Sequence, residues 1–169
     1  SRPVPNITGY RMVLHGRFPY LGYPRRYRPE DHAAVRQALE QADALDLAQR
    51  PLPALSGGQR QKIYLAMALA QDTDTVLLDE PTTYLDIRHQ LDVMHTAAQL
   101  AARGKAVVLV LHDLCLALSS AHRLAVLDGG RLQCVGSPQT VFASGVLDRV
   151  FQVPIRRTQT AAGWRYYYE

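Results

Sequence analysis

A Ser-Gly-Gly-Gln run, Ser56-Gly57-Gly58-Gln59, opens a segment whose apolar residues recur at helical spacing, and an apolar stretch, Val76-Leu77-Leu78, then ends on two adjacent carboxylates, Asp79 and Glu80. Backbone N–H groups at a helix start, with the positive end of the helix dipole behind them, suit a phosphate. Glycines there let a ligand come close to the backbone. Paired carboxylates at a strand end suit a metal ion and an attacking water. Downstream come Pro81-Thr82-Thr83-Tyr84-Leu85-Asp86 and a second apolar stretch that ends at His112-Asp113. Each residue also has a plainer use. Ser56 can cap a helix, a strand-end carboxylate can cap the next turn, and a strand-end histidine can simply pack.

The elements that must position these groups follow from periodicity and punctuation. Ile7, Met12 and Val13 suggest a short helix from about Thr8, ahead of a loop over Gly16–Pro24. Pro29-Glu30-Asp31 is a good helix start, after which Val35, Ala38, Leu39, Ala42 and Leu45 recur on one face. Pro51 and Pro53 interrupt the chain, and a helix is predicted over Gly57–Ala70 with Ile63, Leu65, Ala66, Leu69 and Ala70 inward. Thr75–Asp79 is apolar without alternation, which predicts a parallel strand covered on both faces. A helix over Ile87–Ala102 and a strand over Ala106–Leu111 complete a strand–helix–strand unit. Beyond them we expect a helix at Leu114–Ser120 and a strand at Arg123–Leu127 that turns at Asp128-Gly129-Gly130 into Arg131–Val135. Short helices begin at Ser137-Pro138 and Val146, and the tail Ile155–Glu169 has the pattern of a hairpin about Ala161-Ala162-Gly163.

In this order and spacing, Leu55–Gln61, Val76–Pro81, Pro81–Asp86 and His112-Asp113 resemble the signature, Walker B, D-loop and switch histidine of an ABC-type ATPase. The stretches His15-Gly16-Arg17-Phe18-Pro19-Tyr20, Ala66–Asp74 and Leu85-Asp86-Ile87-Arg88-His89-Gln90 narrow the resemblance to the ATP-binding subunits of importers of iron-siderophores, haem and cobalamin. The fold so implied is α/β, an incomplete P-loop NTPase of the RecA-like ABC type, with a parallel sheet flanked by helices and an N-terminal helical subdomain. The implied divisions are a helical subdomain over 1–54, the signature helix over 55–72, a RecA-like core portion over 73–136, and C-terminal helices with a terminal hairpin over 137–169.

By that resemblance the cofactors are ATP and Mg²⁺. Asp79 serves the Mg²⁺ shell, Glu80 activates the attacking water, and His112 contacts the γ-phosphate. Ser56 and the backbone N–H groups of Gly57 and Gly58 face ATP held by a second subunit, Gln59 belongs to the same nucleotide-binding set and supports that surface, and Asp86 reaches across a head-to-tail dimer. The further implied partners are a transmembrane permease, whose short cytoplasmic helices the helical subdomain receives, and, indirectly, an extracytoplasmic substrate-binding protein. No nucleic acid is expected. The implied location is cytoplasmic, on the inner face of the membrane.

Composition sets the outer bounds. An apolar share of 47% with 20% charged residues describes a folded globular chain of 169 residues, long enough for a buried core. No apolar stretch nears the roughly 20 residues that cross a bilayer. Cys115 and Cys134 have no metal-ligand spacing and read as reduced thiols. The net charge of +4 owes much to Arg11, Arg17, Arg25, Arg26 and Arg28, interleaved with Tyr20, Tyr23 and Tyr27. A solvated loop explains that cluster more simply than nucleic-acid or lipid-headgroup binding. A phosphate-cradling G-x-x-x-x-G-K-[ST] run is absent from the sequence, the one Gly-Lys pair being Gly104-Lys105-Ala106. The chain thus resembles the C-terminal part of a nucleotide-binding domain. Two other readings are a DNA-repair or translation-type ABC ATPase, and a non-catalytic module offering its signature face to a sister subunit or permease.

Overall fold

The computed structural model describes residues 5–83, 85–161 and 163–169. Tyr84 of the quoted D-loop motif and Ala162 of the tail turn lie outside them. The chain divides into two units, Ser1–Val110 and Leu111–Glu169.

In the first unit, α1 (Gly9–His15), α2 (Pro29–Gln41) and α3 (Gly57–Ala70) pack against one another. Their shared core holds Val13, Val35, Leu39, Leu52, Ile63 and Ala66, all under 2% exposed. Two glycines mark close approaches: at Gly16, the C-cap of α1, a Cβ would clash with the Met67 carbonyl oxygen of α3, and at Gly9 it would stand 2.8 Å from both Ile63 Cδ1 and the Leu47 carbonyl oxygen. Arg17, just past α1, donates from Nε to Asp31 Oδ1 at 3.0 Å and from Nη1 to the Ala70 carbonyl at 3.0 Å, which ties the loop to α2 and α3. Asp31 Oδ2 also accepts the Arg28 N–H at 3.0 Å. That bond holds the Asp31 carboxyl below the usual carboxylate range, burial pulling the other way and Arg17 reinforcing the decrease.

The helix from Pro29 is shorter than its apolar pattern suggests. It stops at Gln41, and Asp43 takes φ +49°. Leu45 therefore sits in a 3-10 turn, Leu45–Leu47, and is 51% exposed instead of continuing the buried face.

Strands β1 (Thr75–Asp79) and β2 (Ala106–Val110) form a two-stranded parallel sheet in which Leu77 pairs with Val108 and Asp79 with Val110. The predicted cover on both faces is not found among the described residues of this unit. Val76 is buried, whereas Leu77, Val108 and Val110 are 69%, 49% and 45% exposed on the opposite face. Helix α4 (Ile87–Ala102) joins the strands and packs against β2, burying Val93, Ala97 and Leu100. Strand β2 ends one residue earlier than its apolar run suggests.

The second unit is built from two hairpins and three short helices. Strands β3 (Leu124–Asp128) and β4 (Arg131–Gly136) pair antiparallel about Gly129 and Gly130, at φ +53° and +72°, which is the left-handed backbone that a two-residue hairpin turn requires. Strands β5 (Ile155–Thr160) and β6 (Gly163–Tyr168) form the terminal hairpin. Helices α5 (Leu114–Ser120), α6 (Pro138–Ala143) and α7 (Val146–Phe151) contribute to a core of Leu118, Val126, Val141, Val146, Leu147, Ile155 and Tyr166.

Candidate functional site

Three groups of the expected residues lie in the first unit, each at the end of a regular element. At the end of β1, Asp79 is exposed, and the next residue continues the pairing through a Glu80 N–H bond to the Val110 carbonyl at 3.1 Å. The chain then turns, because Glu80 adopts φ +48°, a region that non-glycine residues enter at a cost of about 1 kcal/mol or more. Thr83 stabilises the turn twice. Its N–H donates to the Glu80 carbonyl at 3.2 Å, and its hydroxyl donates to Glu80 Oε2 at 3.1 Å. One oxygen of an exposed carboxylate is thus fixed.

At the start of α3, Ser56 is the N-cap. Its hydroxyl accepts the Gln59 N–H at 3.3 Å, while Gln59 Oε1 accepts the Ser56 N–H at 3.1 Å. This reciprocal box satisfies two groups that a helix start otherwise leaves without partners. Gly57 is exposed, and a Cβ on it would meet nothing within 4 Å. The Gly57 side of the helix end faces open space. Gly58 touches the third group, since a Cβ there would lie 3.3 Å from Leu85 Cδ2.

That third group is the turn into α4. Asp86 is its N-cap, with Oδ1 accepting the His89 N–H at 2.9 Å and standing 2.7 Å from His89 Nδ1. The His89 backbone bond, then its ring, holds the Asp86 carboxyl below its ordinary range. Gln90 Nε2 donates to the Leu85 carbonyl at 3.2 Å and to Thr82 at 3.4 Å, bracing the segment between Glu80 and Asp86. Between α3 and α4 a cavity of about 30 Å³ is lined by Gly58, Leu65, Leu85 and Val93 among others. The signature and D-loop segments are therefore neighbours.

His112 belongs to the second unit, two residues beyond β2 and not on a strand. Asp113 follows as N-cap of α5, its Oδ1 accepting the Leu116 N–H at 2.9 Å. Sequence reasoning named Gln59 as the support of the signature surface but missed the residues that hold the other segments. The i,i+3 spacing of Thr83 from Glu80 and His89 from Asp86 could have revealed them. Nothing in the local pattern marks Tyr168, whose hydroxyl reaches Asp113 and Leu114.

Among the described residues no three His, Cys, Asp or Glu side chains gather as a metal cage. The exposed Asp79 carboxylate nonetheless fits Mg²⁺, which keeps several waters and commonly takes one or two carboxylates together with substrate phosphate oxygens. No helix among the described residues is long and apolar enough to cross a membrane.

Comparison with known proteins gives a consistent result. Residues 4–83 match the family model described as ABC transporter. A hemin import ATP-binding protein of Nocardia farcinica (strain IFM 10152) is 46% identical over 149 residues, which cover 88% of this chain and 51% of that protein. An iron(3+)-hydroxamate import ATP-binding protein of Bacillus subtilis (strain 168) is 40% identical over 148 residues, 87% of this chain and 55% of that protein. The chain spans about half the length of the curated relatives it matches. Among solved structures, an ABC transporter assigned to the metal-chelate type, in an inward-facing conformation, matches with a TM-score of 0.87 at 26% identity, over 100% of this chain and 68% of that one. The dimeric post-hydrolysis state of the ATP-binding cassette MJ0796, bound to ADP and Pi, matches with a TM-score of 0.67 at 27% identity, over 78% and 57%. The fold is that of an ABC ATP-binding cassette.

Proposed function

We propose that this chain, which belongs to the ABC transporter family through residues 4–83, supplies the signature, carboxylate and switch elements of an ATPase subunit that powers import of iron-siderophore, haem or cobalamin-like chelates. The observation that carries the chemistry is the corner at the end of β1. There, Asp79 is followed by a Glu80 whose backbone turns out of the strand and whose carboxylate is steadied by Thr83.

In this reading Glu80 orients the attacking water and takes up its proton, and Thr83 holds the carboxylate for that task. Asp79 holds Mg²⁺ through water, and the ion when bound neutralises charge on the phosphate oxygens. His112 contacts the γ-phosphate. Ser56 and the N–H groups of Gly57 and Gly58 face a nucleotide carried by a second subunit, with Gln59 bracing the cap. Asp86 serves that same dimer contact. Support for the pair comes from the dimeric cassette among the structural matches. The import role draws on the relatives' names and on the metal-chelate transporter match. Residues 1–54 and the signature helix over 55–72 form the subdomain that receives the permease, at the inner face of the membrane. Residues 73–136 carry the nucleotide chemistry, followed by the helices and hairpin of 137–169.

No G-x-x-x-x-G-K-[ST] run occurs within these 169 residues, so hydrolysis requires a phosphate-binding loop from outside them. The test is Glu80→Gln with such a loop present on the same polypeptide. Turnover is expected to fall by about 10²–10⁴-fold while ATP binding persists. Turnover within about threefold of wild type, under 1 kcal/mol of barrier, would sink the assignment. A second reading is a non-catalytic module presenting the signature face to a sister subunit or permease. Unchanged transport in the Glu80→Gln protein would support that reading instead.

A further inference from the structure

The first turn of α5 begins two residues after His112, and its backbone is held from the far end of the chain. A helix start leaves N–H groups without intrahelical partners. Asp113 takes the one from Leu116, and the Tyr168 hydroxyl accepts the one from Leu114 at 3.1 Å. The same hydroxyl donates to Asp113 Oδ1 at 3.3 Å, so it bridges the cap carboxylate and the helix backbone. Tyr168 is 47% exposed as a residue, but partial desolvation of its hydroxyl, then the Asp113 charge, pushes the phenol up, so it remains a neutral group able to donate and accept at once.

Tyr168 is itself firmly placed. It pairs with Ile155 at the end of the terminal hairpin. Glu169 donates its N–H to the Pro154 carbonyl at 3.1 Å and pairs through Oε2 with Arg156 Nη2 at 2.6 Å. Two residues earlier, Tyr166 is 8% exposed in the core of the same unit, and β6 packs along α5. A rigid strand end therefore clamps the chain immediately after His112.

We propose that Tyr168 is a positioning residue for the switch histidine, so that the terminal hairpin sets how well His112 meets the γ-phosphate. This rests on the reading of His112 as the switch residue. The hairpin then provides a handle on turnover: whatever lifts β6 from α5 slows hydrolysis without touching nucleotide binding.

The test is Tyr168→Phe, which deletes one oxygen and keeps the ring, compared with His112→Ala, both with a phosphate-binding loop on the same polypeptide. Tyr168→Phe is expected to lower kcat about three- to tenfold, the worth of one neutral hydrogen bond, with KM for ATP within about twofold. In the 169-residue chain, amide exchange at Leu114 should rise about tenfold, while the Val126 and Leu147 amides hold. That measurement reads the clamp directly in the folded protein. If His112→Ala left turnover intact, the underlying switch reading would fail. If His112→Ala abolished turnover but Tyr168→Phe left kcat at the wild-type level, the positioning role would be overturned. Unchanged Leu114 exchange, or a rise in KM with constant kcat, would overturn it as well.

Discussion

The first unit braces the side chains of its chemistry-bearing residues with partners three positions away, whereas the second adds to a local cap, Asp113 with Leu116, a partner more than fifty positions from the segment after His112. Ser56 with Gln59, Glu80 with Thr83 and Asp86 with His89 are all i,i+3 pairs at exposed element ends. Leu114 with Tyr168 spans 54 positions. Local bracing forms with the turn itself and costs little chain entropy. Remote bracing exists only once the hairpin, α5 and their core have assembled. Damage should therefore stay local in the first case and travel in the second.

The sharpest way to break this contrast is Tyr166→Ala. It empties a buried aromatic site between the hairpin and the core, and a loss of about 3–5 kcal/mol is expected. Thermal melting of the chain would measure the loss. Amide exchange should show the Leu114 N–H opening even though the substitution lies on another element. If Leu114 stayed protected, the bracing of α5 would not depend on the hairpin. Ser56→Ala should cost less, about 1 kcal/mol, through loss of the cap. Its faster exchange should be confined to the first turn of α3, including Gln59. Spread of that effect to Ile63 and beyond would show that the local pairs are less local than their spacing implies.

The smallest effect concerns acid. Asp31 has a folded-state pKa below its unfolded value, so it contributes stability above the ordinary carboxylate range, near 3.9. That contribution is lost as the pH falls through the lowered folded value. Asp31→Asn should flatten the acid limb of a stability-versus-pH curve and lower the plateau at neutral pH. An unchanged acid limb would mean that the Arg17 and Arg28 contacts do not favour the ionised form.

The same contrast explains what could be read from the sequence. The bounds of α3, β1 and α4 match their patterns residue for residue, because caps, prolines and apolar periodicity are local signals. Leu45 departed from its expected face because Asp43 enters left-handed backbone and ends the helix four residues early, a choice stabilised by Lys62 on α3 at 2.7 Å. The apolar run of β1 correctly gave a strand but overstated its cover. The residues that line its open side carry no record of which neighbour meets them. In the candidate site, the residue types at 56, 79, 80, 86 and 112 were legible as motifs. Of their anchors only Gln59 was, and Tyr168 was the least legible of all.

The left-handed backbone at Glu80 has an evolutionary consequence. On the role proposed for Glu80, a residue whose side chain serves turnover and whose backbone resists its place sets function against persistence. Glycine enters that conformation without the penalty, so Glu80→Gly relieves about 1 kcal/mol of backbone strain, set against the loss of the Glu80 side-chain contacts, the Thr83 bond among them, and thermal melting measures the difference. On that proposal, a descendant of this chain released from selection for hydrolysis would drift toward glycine or asparagine at position 80 and shed the backbone strain there. A glutamate retained there across lineages would be a record of continued work.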